Sequence, residues 1–268
     1  MPLFLCTTCG TLFPQSETPP AACPICEDER QYVPPEGQRW TTREELRASH
    51  RAEIREEEPG LTGIGAEPSF AIGQRALLVQ ASGGNILWDC ISLLDDEIAA
   101  AVEELGGIAA ISISHPHYYS SMVEWAEAFD APIYLHAADR EWVMRRSDRI
   151  VFWEEERREL GPGLTLVRCG GHYEGGTVLH WAAGAEGRGA LLSGDIVQVI
   201  PDRGYVSFMY SYPNLIPLDE QAIRGIVAAL EPLEFDRIHG AWWGRVVPTD
   251  GKGAVVRSAE RYLKAIGG

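Results

Sequence analysis

The chain has 268 residues, 39 of them acidic and 23 basic, for a formal net charge of -16. That charge repels phosphate backbones and anionic lipid, which argues against nucleic-acid and membrane-surface partners and leaves a small, neutral or cationic substrate. The length buries an ample core, no run of about 18 apolar residues is present, and the opening "MPLFLCTTCG" lacks the basic n-region and long apolar stretch of a signal peptide, so the expected location is the cytoplasm, with oligomeric state left open.

Residues 1–35 are rich in Cys, Pro and Thr and poor in long aliphatics, so they cannot form a core unaided. They carry Cys6-x2-Cys9 and, thirteen residues on, Cys23-x2-Cys26. Two such knuckles supply four thiolates at the spacing a tetrahedral metal needs, and in a reducing compartment the pattern reads as a metal site rather than as disulfides. The stretches "CTTCG" and "CPIC" resemble a zinc ribbon or a rubredoxin, with Glu27 departing from the rubredoxin glycine. Zn2+ is therefore expected over iron, in a structural role, because four thiolates leave no open position. Residues 36–60 read as a charged helical linker: in "TTREELRASHRAEIREEE" Thr42 is a plausible cap ahead of Glu45, and Pro59-Gly60 ends the segment.

Residues 61–268 change to short β-like runs broken by glycine. "SFAIG", "RALLVQ" and "NILWDC" read as strands, the last two joined by the turn "ASGGN". A helix with an acidic first turn ("DDEIAAAVEELGG"), the buried strand "IAAISIS", a helix from about Ser121 to Phe129, the strand "PIYLH" and a helix near Ala138 to Arg146 follow. Then come the strands "LTLVRC", "TVLHWA" and "GALLSGD", a long aromatic loop from Ile200 to Pro217, the helix "LDEQAIRGIVAALEP", the strand "FDRIHG" and a final helix near Gly253 to Ile266. This order favours two packed sheets with helices outside.

Chemistry concentrates at strand ends. His115 and His117 follow the apolar strand Ile108 to Ser114, and residues two apart in an extended segment point to the same side. His172 lies in the glycine-rich turn "CGGHYEGG", Asp195 ends "ALLSGD", His239 ends "FDRIHG" and Asp89 ends "NILWD". This ordered set resembles the metallo-β-lactamase superfamily over about residues 61–245. The resemblance implies an α+β fold, a four-layer αβ/βα sandwich with its metals at one edge, here with a small N-terminal zinc ribbon. It also implies roles: His115, His117 and His172 as the three-histidine first site, Asp195 as the carboxylate bridging to a second metal, His239 as a second-site ligand, and Asp89 as a non-ligating aspartate that steadies the site.

The family motif H-x-H-x-D-H is broken here, because Tyr119 and Ser120 stand where its aspartate and last histidine would be. With only Asp195 and His239 left to the second site, one metal is expected, Zn2+ with Fe2+ as the alternative. Asp195 is then a fourth ligand or a water-orienting partner, and Tyr119 either donates to a developing oxyanion or packs over the metal. The function expected is a metal-dependent hydrolase that uses zinc-bound hydroxide on a small ester, thioester, amide or lactone-like bond. Two alternatives stand beside it. One is a mononuclear non-haem iron enzyme of the persulfide dioxygenase type, whose ligand positions match His115, His172 and Asp195. The other is a scaffold that has lost turnover.

His50, His136 and His180 read as ordinary core or surface histidines, and Cys169 as a small buried side chain. Tyr205, Phe208, Tyr210, Tyr212, Trp242 and Trp243 flank expected ligands and either wall an apolar pocket or serve packing. Arg203 and Arg245 are candidate partners for an anionic group. No nucleophile elbow, Walker loop or dinucleotide fingerprint occurs.

Overall fold

The computed structural model describes residues 1–267, in two compact units. The first comprises Met1–Leu135 with Arg140–Phe152 and the second begins with His136–Asp139 and resumes at Trp153.

In the first unit, β1 (Phe4–Cys6) pairs with β2 (Trp40–Thr42), and α1 (Pro24–Glu27) opens from the second cysteine knuckle. The N-terminal segment makes its small core from all four cysteines, Phe13 and Ile25, with Trp40, Ile72, Trp142 and Met144 packed against it. Residues from outside the segment thus supply the apolar surface that its composition lacks.

α2 (Arg43–Ser49) starts as its sequence dictates. Thr42 accepts from the Glu45 amide, and the Glu45 carboxylate accepts from the Thr42 amide, a reciprocal cap. The helical reading fails after His50, whose backbone is extended: β3 (Arg51–Glu58) is a strand, paired antiparallel with β4 (Leu61–Glu67). β3 sits at the sheet edge, where charged side chains meet water and discourage further pairing, so its charge is compatible with a strand. "SFAIG" is likewise no strand. Pro68 ends β4, and the following residues turn through Gly73, whose amide donates to the Phe70 carbonyl.

β5 (Ala76–Val79) and β6 (Ile86–Trp88) form the expected hairpin. α3 (Asp96–Glu104), capped by Asp95, then crosses to β7 (Ala110–Ser112), which pairs parallel with β6. After α4 (Met122–Ala128), β8 (Ile133–His136) pairs parallel with β7, and β9 (Ile150–Trp153) completes a seven-stranded sheet in the order β3 to β9. The helix expected near Ala138 to Arg146 is a 3-10 turn, Ala137–Trp142.

In the second unit, β10 (Arg157–Gly161), β11 (Leu164–Arg168), β12 (Thr177–Trp181) and β13 (Ala190–Gly194) run antiparallel in sequence, with the short turn α5 (Gly184–Gly187) before β13. The aromatic segment folds into short strands, β14 (Gln198–Val199) with β15 (Val206–Ser207) and β16 (Met209–Ser211) with β17 (Ile216–Pro217). α6 (Glu220–Leu230) is capped by Asp219 and followed by β18 (Arg237–Gly240), which pairs parallel with β13, then β19 (Val246–Val247) and α7 (Gly251–Ile266). Ile223, Ile226, Leu230, Ala254, Val255 and Leu263 from the two helices join Val167, Val178, Leu191 and Ile238 of the sheet in one core. That core holds the C-terminal ends of β13 and β18 side by side, with Leu192 opposite His239 and Gly194 opposite Gly240.

Candidate metal centres

The four cysteine sulfurs are buried and lie within 4.8 Å of one another. Cys6 and Cys26 Sγ are 3.6 Å apart, as are Cys9 and Cys23. That separation is far beyond a disulfide, and it approaches the ~3.8 Å edge of a tetrahedron whose vertices stand ~2.3 Å from a metal. Hydrogen bonds from the other thiols, Cys23 first, lower the Cys6 pKa, whereas burial raises that of Cys9. Four crowded thiols cannot all ionise without a counter-charge, and a dication supplies one.

His115, His117 and His172 form a second group, all buried, with one ring nitrogen of each within 4.8 Å of the others. Tetrahedral zinc with bonds of ~2.0–2.1 Å would set such nitrogens about 3.3 Å apart, within the spacing this group allows.

Local structure explains each placement. His115 ends the extended run from β7, and a 3-10 turn, Pro116–Tyr118, follows it. The turn is closed by the Tyr118 amide on the His115 carbonyl and the Tyr119 amide on the Pro116 carbonyl. His115 and His117 have ring centroids 5.1 Å apart. His115 Nδ1 is 2.9 Å from Ser114 Oγ, a contact that steadies the orientation of its ring. Asp89 Oδ1 accepts from the Ser114 amide at 2.7 Å, so this buried carboxylate orients the peptide that leads into His115. Burial pushes the Asp89 pKa up to about 7, against the opposing pull of the Ser114 hydrogen bonds and Arg75.

His172 sits between β11 and β12, and its Nδ1–H donates to the Tyr210 carbonyl at 2.7 Å, which fixes the ring. The preceding Gly171 has φ +83, and a Cβ there would lie 2.9 Å from Ile226 Cδ1, so the turn requires glycine. Asp139 Oδ1 accepts from the Gly175 amide at 2.8 Å and pins the same turn. Neither Asp139 nor Ser114 was legible in the sequence, since nothing in "HAAD" or "ISIS" ties them to a ligand.

Asp195 and His239 are both buried, at the ends of the paired strands β13 and β18, and the Tyr212 hydroxyl donates to the Asp195 carbonyl at 2.7 Å. Neither belongs to the three-histidine group. Tyr119 is buried and lines a small cleft with Thr11, Leu12, Ser120, Glu124 and Arg145.

The remaining side chains take packing or bracing roles. Phe208 is fully buried in the core, Tyr205 lies under the Arg261 guanidinium, and Arg203 donates to the Ile200 and Gly244 carbonyls. His180 is engaged by the Glu234 carbonyl, His50 by Ser49, and His136 packs edge-on to Trp153. Burial pushes the Cys169 thiol up to about 12, which denies it nucleophile chemistry near neutrality.

The structure has the metallo-β-lactamase fold. It is similar to VMB-1 at a TM-score of 0.60, with 13% identity over 81% of this chain and 98% of that one. DIM-1 metallo-β-lactamase also scores 0.60, with 14% identity over 81% and 98%. SMB-1 in complex with mercaptoacetic acid scores 0.54, with 18% identity over 77% and 92%. No protein-family model matches the chain. The chain belongs to the same family as the uncharacterized protein YmaE of Bacillus subtilis (strain 168), to which it is 52% identical over 268 residues, 99% of this chain and 97% of that one.

Proposed function

We propose that the protein is a metal-dependent hydrolase with one Zn2+ on His115, His117 and His172, acting on an ester, thioester, amide or lactone-like bond of a small molecule. The observation that carries this reading is the buried group of three imidazoles, with one ring nitrogen of each within 4.8 Å of the others, two of them held by hydrogen bonds at Nδ1. A zinc ion in a three-histidine site with an open position supplies hydroxide near neutral pH, because it lowers the pKa of water from about 15.7 to roughly 7. Asp89 and Ser114 hold His115 in register, Tyr210 fixes the His172 tautomer, and Asp195 orients the attacking water or completes the ligand set.

The net charge of -16 disfavours nucleic acid and anionic lipid as partners and favours a neutral or cationic substrate. Among the described residues no helix is long and apolar enough to cross a membrane. The cytoplasm, which keeps the four thiols reduced, is the compartment this reading requires. A persulfide-dioxygenase-type iron centre needs two imidazoles and one carboxylate, and the third nitrogen of His117 favours zinc.

Metal analysis of the full chain tests the reading, on wild type, His115→Ala and a Cys6→Ser/Cys9→Ser form, beside a panel of chromogenic esters, thioesters and lactones. The expected result is two zinc ions per wild-type chain, one lost in each variant, with hydrolysis lost in His115→Ala. Iron lost with His115 together with oxygen consumption overturns it in favour of the iron enzyme. Metal content unchanged in His115→Ala overturns the centre altogether.

A further inference from the structure

The four-cysteine segment touches the loop that carries His115 and His117. The Leu12 amide donates to the Ser120 carbonyl at 3.1 Å, and the Gly10 carbonyl accepts from Ser92 Oγ at 2.8 Å. Ser92 returns the connection, since its own carbonyl accepts from Ser121 Oγ at 2.9 Å. Gln74 Nε2 donates to Ser120 Oγ at 3.1 Å and to the Cys90 carbonyl at 2.8 Å. Ser120, which stands where the related motif has its last histidine, is therefore held by its carbonyl and its hydroxyl in one hydrogen-bonded junction.

Two further observations show that the junction is built rather than incidental. Gly10 belongs to the first knuckle, its amide donating to the Cys6 carbonyl, and its φ is +80. A Cβ at Gly10 would lie 2.6 Å from Ser92 Oγ and 3.3 Å from Ala71 Cβ, so only glycine allows the knuckle to come this close. Ser120 has φ +40, a left-handed conformation that strains a non-glycine residue and persists only where its surroundings enforce it. Ser120 directly follows the 3-10 turn Pro116–Tyr118, which is closed by the Tyr118 amide on the His115 carbonyl and the Tyr119 amide on the Pro116 carbonyl, so a shift at Ser120 acts on His117 three residues away.

We propose that the four-cysteine segment is a positioning element for the histidine centre: by clamping Ser120 and Ser92 it fixes the His115–Ser121 loop, and it couples occupancy of the thiolate site to metal affinity at the imidazoles. The proposal rests on the histidine centre argued above. It also accounts for the serine at position 120, which serves as a docking point where a relative of this fold would carry a ligand. By linkage, a metal on the histidines strengthens the thiolate site by the same factor.

The test uses the full chain as wild type, Ser92→Ala, Ser92→Thr, Gly10→Ala and Cys9→Ser. Cobalt(II) uptake followed by the thiolate charge-transfer band reports the four-cysteine site, and zinc competition with a chromogenic chelator reports the histidine affinity. Hydrogen–deuterium exchange of peptides spanning 113–125 reports the loop itself. With the thiolate site full, Ser92→Ala and Gly10→Ala should weaken zinc at the histidines by about 10-fold, as loss of an outer hydrogen-bond partner commonly does. Ser92→Thr should restore the wild-type affinity, and Cys9→Ser should speed exchange at 115–121 while leaving β5 and β6 unchanged. Unaltered exchange at 115–121 in Cys9→Ser, or histidine affinity within about twofold of wild type in Ser92→Ala, overturns the clamp. If exchange accelerates as expected while wild type binds no metal at the histidines, the clamp on the loop stands, whereas the metal coupling and the hydrolase reading both fall.

Discussion

The four thiols and the three imidazoles reach their sites in opposite ways. Cys6 and Cys26 lie twenty positions apart, and two tight knuckles bring all four sulfurs together with help from a handful of outside apolar residues. The imidazoles come from two loops, His115 and His117 from one and His172 from another, with Ser114 and Asp89 behind His115 and Tyr210 behind His172. The thiolates would saturate a tetrahedral ion, whereas three nitrogens leave a position open. A local site with no vacancy suits structure, and a site assembled over long range with a vacancy suits chemistry.

The most damaging change to this contrast is His172→Ala, which should remove one metal equivalent and reduce hydrolysis to background while the thiolate metal stays, as metal analysis of the purified protein would show. Cys23→Ser should do the converse, releasing the thiolate metal and opening residues 1–40 to limited proteolysis, with a smaller fall in turnover. His239→Ala sharpens the one-metal reading: zinc content should remain at two per chain, and a fall to one would place His239 among the ligands.

Asp89→Asn should lower metal affinity at the histidines by about 10–100-fold, measured by chelator competition. In metal-free protein the same change has a pH signature. The folded Asp89 pKa, raised to about 7, stands above its unfolded value, so its contribution to stability is full below the unfolded pKa and is lost as pH rises through about 7. The urea midpoint of wild type relative to Asp89→Asn should therefore fall between pH 5 and pH 8. Smallest of all, Thr42→Ala should cost about 1 kcal/mol of stability through the lost helix cap, with metal content and turnover unchanged.

Much of this was legible where a local rule acts alone. The cap at Thr42 and the acidic first turn of "DDEIAAAVEELGG" mark helices that form, and the "ASGGN" turn joins the strands it should. The errors fall where local patterns are degenerate. The charged run Arg51–Glu58 reads as helix by composition, yet edge position makes it a strand, and "RIVFW" and "RRELG" became β9 and β10 because a sheet offered them partners. Of the two serines beside the histidines, neither Ser114 nor Ser120 carries a signal in its spacing, because each acts through contacts with residues distant in the chain, Asp89 in one case and Leu12 with Gln74 in the other.

The sequence by itself determined the donor chemistry: four cysteines in two knuckles, whose short span fixes their reach, and an ordered series of histidines and aspartates at strand ends. Only the tertiary structure decided that His115, His117 and His172 form one group and that the Ser120 carbonyl accepts from Leu12 of the cysteine segment. Spacing governs which side chains can meet within a few residues, but across longer separations the meeting is set by how the sheets, turns and caps pack, which no single stretch of sequence encodes.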